Sequence, residues 1–298
     1  MKPTKLYISP HFDDVVFSCA GKILDDVRNG FRVVVATVFS EGGRENTADY
    51  HRRNKENNLA LEILKAEGIN LGFLDAPHRH AYYNSFRKII LERHPSDNAD
   101  FVTKIGEALN ELCDILNPSM VYVPLGVGTH IDHRLCFESA IKHLKTPVLF
   151  YEDRPYCFAS LAVEIRLKML GVRTNLSPAP LDLAHQNDIS FHLSSLSKIK
   201  YVEKYLPEGK ERTKCYDIIS KQFKQKYNIA YLGSPEFHNS STNDYEIAND
   251  AINAYESQLA DFVVNTESFQ QQSKIYSQSL TQQQEFVERY WVLEDSAI

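Results

Sequence analysis

The run VVVATVF at Val33–Phe39 is apolar almost without interruption. A strand with one wet face alternates; a strand apolar throughout is covered on both faces, the habit of parallel sheets flanked by helices. The first half of the chain repeats this theme. Leu6–Ser9 is a short apolar run stopped by Pro10, and Asn70–Leu74, Met120–Pro124 and Val148–Tyr151 read as further strands. Between them, apolar residues recur at helical spacing. Asp13–Arg28 carries Val16, Ala20, Ile23 and Val27, with Asn29-Gly30 as its stop. Asp49–Glu67 (ended near Gly68), residues 101–116 and Ile131–His143 are the other helices. Strands alternating with helices in this way predict an α/β fold, a Rossmann-like, mostly parallel sheet flanked by helices.

After residue 155 the alternation stops and a more helical C-terminal part is expected. The chain then reads as a single domain over 1–298, with an α/β core over 1–155 and a mainly helical part over 156–298. Within that part, residues 233–244 (GSPEFHNSSTND) read as an exposed polar loop. Asp250–Val264 reads as a helix, and Gln270–Gln284 is rich in Gln and Ser with little apolar periodicity. Ala76–Asp100 breaks the rhythm of the first half and fits either a substrate loop or a surface connection.

Composition excludes several classes. A net charge of −6, from 33 Lys+Arg against 39 Asp+Glu, argues against nucleic-acid binding through bulk charge. No apolar run approaches the roughly 18–20 residues of a membrane span. The N-terminus lacks the apolar core of a secretory signal. Cys19, Cys113, Cys136, Cys157 and Cys215 are odd in number and contain no CxxC, as expected for buried or free thiols of a cytoplasmic protein.

Two polar segments carry chemistry. Ser9-Pro10-His11-Phe12-Asp13-Asp14 follows the first strand, and open α/β sheets bind ligands outside the carboxyl ends of strands. His11 and Asp14 are three apart, so one turn can bring both to one centre and leave Asp13 for proton transfer. Read alone, the segment also fits a capped helix start, with Asp13 or Asp14 as the cap. The second segment, Gly126-Val127-Gly128-Thr129-His130-Ile131-Asp132-His133, follows the fourth strand. Together the two supply His11, Asp14 and His133, with Asp13 and His130 left over. Three N/O ligands plus an open position is the pattern of a catalytic zinc site.

These segments resemble the PIG-L/LmbE-like family of zinc-dependent N-deacetylases, whose hallmarks are a (P/A)HxDD stretch and a later HxxH stretch. Here they read Pro10-His11-Phe12-Asp13-Asp14 and His130-Ile131-Asp132-His133. Arg53-Asn54-Lys55-Glu56 matches the family's RxxE, and Tyr255-Glu256-Ser257-Gln258 its YxSQ. The resemblance implies zinc, or Fe2+ or another divalent metal, on His11, Asp14 and His133. It implies Asp13 as general base toward the attacking water. His130, as an imidazolium, would stabilise the oxyanion, with Asp132 orienting it and keeping it charged. The implied reaction removes the acetyl group from an N-acetylated amino sugar or sugar conjugate.

The chain also departs from the family. Phe12 stands where proline is common, and Ser40-Glu41-Gly42-Gly43 replaces the commoner Thr-x-Gly-Glu order. Both changes lie around the substrate. Arg53 on the second helix, Asp75 at the end of the third strand and Glu152 after the fifth are the candidate substrate contacts. The partner expected is thus a small N-acetylated molecule, with no nucleic acid, no membrane span and a homo-oligomer as an option. The competing readings are an amidase for a non-sugar or long-chain N-acyl substrate, a non-catalytic sugar-binding module, and a two-metal phosphohydrolase. No GxGxxG follows the first strand, which disfavours dinucleotide binding.

Overall fold

Strand β1 (Thr4–Ser9) lies inside a seven-stranded sheet of order β3-β2-β1-β4-β5-β7-β6. The computed structural model describes residues 2–170, 186–200, 202, 209–222, 235–261, 268–281 and 286–292. Strands β2 (Arg32–Thr37), β3 (Glu67–Asn70), β4 (Pro118–Pro124) and β5 (Val148–Tyr151) run parallel to β1. Leu6 pairs in register with both Val34 and Val121. Strands β6 (Glu236–Asn239) and β7 (Val287–Val292) extend the β5 side antiparallel.

Successive strand residues face opposite layers, as the period of two requires. Leu6 and Ile8 join a core with α5 (Ala99–Leu116) and α6 (Ile131–His143), through Ile105, Leu109 and Leu135. Tyr7 faces the other core, with α1 (Asp14–Arg28) and α2 (Thr47–Leu64), through Val16, Ala20 and Leu61. Helices thus cover both faces of a mostly parallel sheet, as expected. The five cysteines are free and buried. No helix among the described residues is long and apolar enough to cross a membrane.

Four expectations need correcting. The third strand runs Glu67–Asn70 instead of Asn70–Leu74. Lys65 takes a left-handed conformation (φ 56°) and ends α2 at Leu64, so Glu67 already pairs with Val34. Glu236–Asn239 is an edge strand, not part of an exposed loop; residues 233–234 lie outside the described ones. Its polarity is what an exposed edge carries, which is why it reads as a loop. The Gln- and Ser-rich segment forms a regular helix, Phe269–Leu280, started by a capping box between Ser268 and Gln271. The helix expected over Asp250–Val264 is two pieces, Thr242–Asn253 and Glu256–Leu259. Residues 262–264 and 282–284 of these readings lie outside the described ones.

Candidate active site

The strand order turns back between β1 and β4, and the two histidine segments leave the carboxyl ends of those two strands. A doubly wound sheet opens its ligand crevice at such a switch point. After β1 the chain is tied into a tight turn. Ser9 Oγ accepts from Val15 N (3.1 Å), and Asp14 Oδ2 accepts from His11 N (2.8 Å). Asp13 occupies the N-cap position of α1, yet its side chain makes no capping bond. It lines a cavity of about 140 Å³ together with His11, Asp14, Arg53, Asp75 and His130.

After β4, Gly126 (φ 80°) and Gly128 (φ 81°) bend the chain toward α6. A Cβ on Gly128 would lie 2.4 Å from the Tyr156 ring, so the approach needs glycine. Asp153, just past β5, accepts from Gly126 N (2.8 Å) and Val127 N (2.7 Å) and fixes this turn. His130 is the N-cap of α6, its Nδ1 accepting from Asp132 N (3.2 Å).

Asp14 Oδ2 then stands 3.1 Å from His11 Nδ1 and 3.3 Å from His133 Nε2. The donors of these three residues lie within 4.8 Å of one another, a group suited to a divalent metal. The far nitrogen of each histidine meets a second carboxylate. His11 Nε2 is 3.2 Å from Asp132 Oδ2, and His133 Nδ1 is 2.6 Å from Asp153 Oδ1. Metal-binding histidines almost always place their other nitrogen against such a partner. The field fits as well. Burial alone would lower both imidazoles, but Asp75, Asp132 and Asp14 outweigh it and hold His11 well above its usual range. Asp14 and Asp153 do the same at His133. Burial likewise opposes the Asp14 carboxylate, yet His133 and His11 keep it below the usual carboxylate range. The site favours positive charge among its donors.

Two readings of the second segment change. Asp132 does not orient His130: its carboxylate reaches His11, Ala76 N (3.0 Å) and Arg79 (2.7 Å), and only its backbone N–H meets His130. The field at His130 also runs against the expected imidazolium. Burial, then the neighbouring His11 and His133, push it well below its usual range. With Nδ1 accepting, the ring proton sits on Nε2.

The candidate substrate contacts divide. Arg53 lies 3.9 Å from Asp13, over the Tyr50 ring, and its Nε is buried without a hydrogen-bond partner. Asp75 accepts from the Tyr50 hydroxyl through Oδ2 (2.5 Å), while its buried Oδ1 lies 3.5 Å from His11 Nε2. Both face the cavity. Glu152 does not. Its side chain is 2% exposed, ion-paired to Arg289 Nε (2.6 Å) and bonded to Trp291 Nε1 (2.9 Å) and the Tyr276 hydroxyl. The loop after β5 turns inward onto β7, which sequence polarity cannot reveal. Glu152→Ala should therefore act as a core lesion, costing about 3–5 kcal/mol because it strands a buried cation. A thermal melt measures it; an unshifted melt would return Glu152 to the surface.

Sequence reasoning assigned no role at the metal centre to Asp153, Arg79 or Tyr156. Tyr156 lines the cavity, its ring edge-on to His133 at 5.9 Å. Asp153 had a signal, a carboxylate two residues past a strand end beside the second segment. The YxSQ stretch binds α2. Tyr255 Oη lies 2.8 Å from Asn57 Oδ1, Ser257 Oγ donates to Glu56 (2.6 Å), and Gln258 reaches the cavity rim.

The chain is similar to several known proteins. Residues 6–144 match the model of the PIG-L family, described as GlcNAc-PI de-N-acetylase. A 2′-N-acetylparomamine deacetylase of Niallia circulans is 28% identical over 185 residues, covering 51% of this chain and 66% of that protein. Its counterpart from Streptomyces fradiae is 28% identical over 193 residues, covering 60% and 67%. The chain thus spans about two thirds of the length of these curated relatives. The zinc-inhibited form of a teicoplanin deacetylase superposes with a TM-score of 0.70 at 17% identity, over 99% of each chain, a likeness of fold.

Proposed function

We propose that this chain, whose residues 6–144 match the PIG-L family model, is a zinc-dependent deacetylase of N-acetylated amino sugars or their conjugates. The observation that carries the reading is the pair of histidines, each set between Asp14 and a carboxylate of its own, beside an Asp13 that caps nothing. His11, Asp14 and His133 hold the metal. When bound, zinc supplies Lewis-acid polarisation of the amide carbonyl and of the attacking water.

The chain's own residues supply the rest. Asp13 accepts the proton of the attacking water and passes it to the leaving amine. Burial, then the adjacent Asp14, push its carboxyl above the usual range, against the pull of Arg53, so it holds a transferred proton more readily. His130 donates Nε2–H to the developing oxyanion as a neutral imidazole. Removing a donor of this kind typically costs about 10²–10³ in rate.

Arg53 and Asp75 orient the substrate. Arg53 Nε brings an unpartnered donor to the cavity, and Asp75 Oδ1, 3.5 Å from His11 Nε2, keeps a lone pair for a further donor, which suits a hydroxyl that both accepts and donates. A polyhydroxylated amine meets that demand, in keeping with the paromamine derivative named for the relatives. The small, polar-lined cavity favours acetyl over a long acyl chain.

The test is amine release from a panel of N-acetyl amino sugars, before and after chelation and zinc return. Release that chelation stops and zinc restores is expected. A zinc-loaded protein that releases amine from none of them would overturn the reading.

A further inference from the structure

We infer that Arg79 is a positioning residue for this site, acting through Asp132 to hold the His11 ring in its ligating orientation. The inference rests on the metal-site reading above. Arg79 closes the short helix Ala76–Arg79, at the head of the irregular stretch Ala76–Asp100, and its side chain is only 10% exposed. It binds Asp97 with two parallel bonds, Nε to Oδ1 (2.9 Å) and Nη2 to Oδ2 (3.0 Å). Nη1 donates to the Leu74 carbonyl (2.7 Å), and Nη2 also reaches Asp132 Oδ1 (2.7 Å). The rings of Phe39, Phe101 and Tyr83 wall the guanidinium at 5.0, 5.1 and 5.7 Å. Asp97 is itself pinned, accepting from the Tyr83 hydroxyl (2.5 Å).

The consequence falls on Asp132. Its carboxylate is fully buried, with Oδ1 on Arg79 and Oδ2 shared by Ala76 N and His11 Nε2. The Arg79 bond fixes the plane of this carboxylate and sets a cation against it. Remove the guanidinium and a buried carboxylate is left without its cation, so it is free to turn away from His11. His11 Nε2 then loses its nearer acceptor and keeps only Asp75 Oδ1, at 3.5 Å, to set its ring. Lysine carries the charge but not the planar fork that reaches Asp97 and Asp132 at once. The stretch Ala76–Asp100 therefore contributes a brace beneath His11, a role distinct from substrate loop or plain connection.

The experiment measures zinc affinity by competition with a chromophoric chelator, with kcat, KM and apo-protein melting alongside. It compares wild type, Arg79→Ala, Arg79→Lys and Arg93→Ala. Arg93, in the same stretch, pairs with Glu138 and donates to the Asp97 backbone carbonyl but not to the carboxylate that Arg79 binds, so it controls for general loosening. We expect Arg79→Ala to bind zinc about 10–100-fold more weakly, with kcat reduced and KM little changed. Arg79→Lys should recover only part of this, and Arg93→Ala should keep wild-type zinc affinity whatever its melt. A folded Arg79→Ala with wild-type zinc affinity and kcat overturns the inference and leaves the deacetylase reading standing. Should Arg79→Ala fail to fold, wild-type affinity and kcat in Arg79→Lys overturn it equally. A wild type that takes up no zinc overturns both.

Discussion

Replacing Asp13 by asparagine should leave a folded protein with its metal in place and reduce turnover by roughly 10²–10⁴-fold, the usual contribution of a positioned acid–base group. Three observations set this expectation. The Asp13 side chain makes no helix-capping bond, so α1 loses nothing when the carboxylate becomes an amide. Asp13 lies outside the group of donors that gathers around Asp14 Oδ2. Its carboxyl is raised by burial and by the like charge of Asp14, so removing that charge relieves the helix start. The loss therefore falls on kcat and leaves the melt unchanged. An Asp13→Asn enzyme retaining more than a tenth of wild-type kcat would remove Asp13 from the base role.

His133→Ala should have the opposite signature, with metal lost first and activity lost because of it. His133 is one of three donors, and the two that remain make a poor site for a borderline cation. The substitution also strips Asp153 of its shortest partner at 2.6 Å, leaving that buried carboxylate with Gly126 N and Val127 N alone. A buried acceptor left short of a partner costs about 1–3 kcal/mol, so the apo protein should melt lower than wild-type apo protein. Calorimetry of both apo forms checks the second effect. Equal melting would mean that Asp153 does not depend on His133.

The parts of this site that were legible in the sequence are those that the chemistry forces close together along the chain. His11, Asp13 and Asp14 share one turn, and His130 and His133 share another, each directly after an apolar strand. Their supports come from afar. Asp153 is 20 residues from His133, and Asp132 is 121 residues from the His11 nitrogen it faces. No local spacing encodes such pairs, so Asp132 was assigned to its neighbour His130. The charge of His130 was equally hidden, because burial and two other imidazoles decide it. Glu152 misled for a related reason. A charged, aromatic loop reads as exposed unless the strand that covers it is known, and β7 comes from the far end of the chain.

The fold follows the same division. Ile131–His143 and Val148–Tyr151 fall where the sequence places them, because buried periodicity and clear stops bound them. β3 slid by three residues because a lysine, not the glycine, took the left-handed turn after α2. β6 escaped notice because an edge strand with one paired side can remain polar.

The most direct test of the central claim is metal content per chain, by elemental analysis of wild type, Asp13→Asn and His133→Ala, each offered zinc and then desalted. The account predicts about one equivalent in the first two and almost none in the third, as a mononuclear site with three protein ligands requires. A wild type without metal, or a His133→Ala protein that keeps a full equivalent, would contradict it.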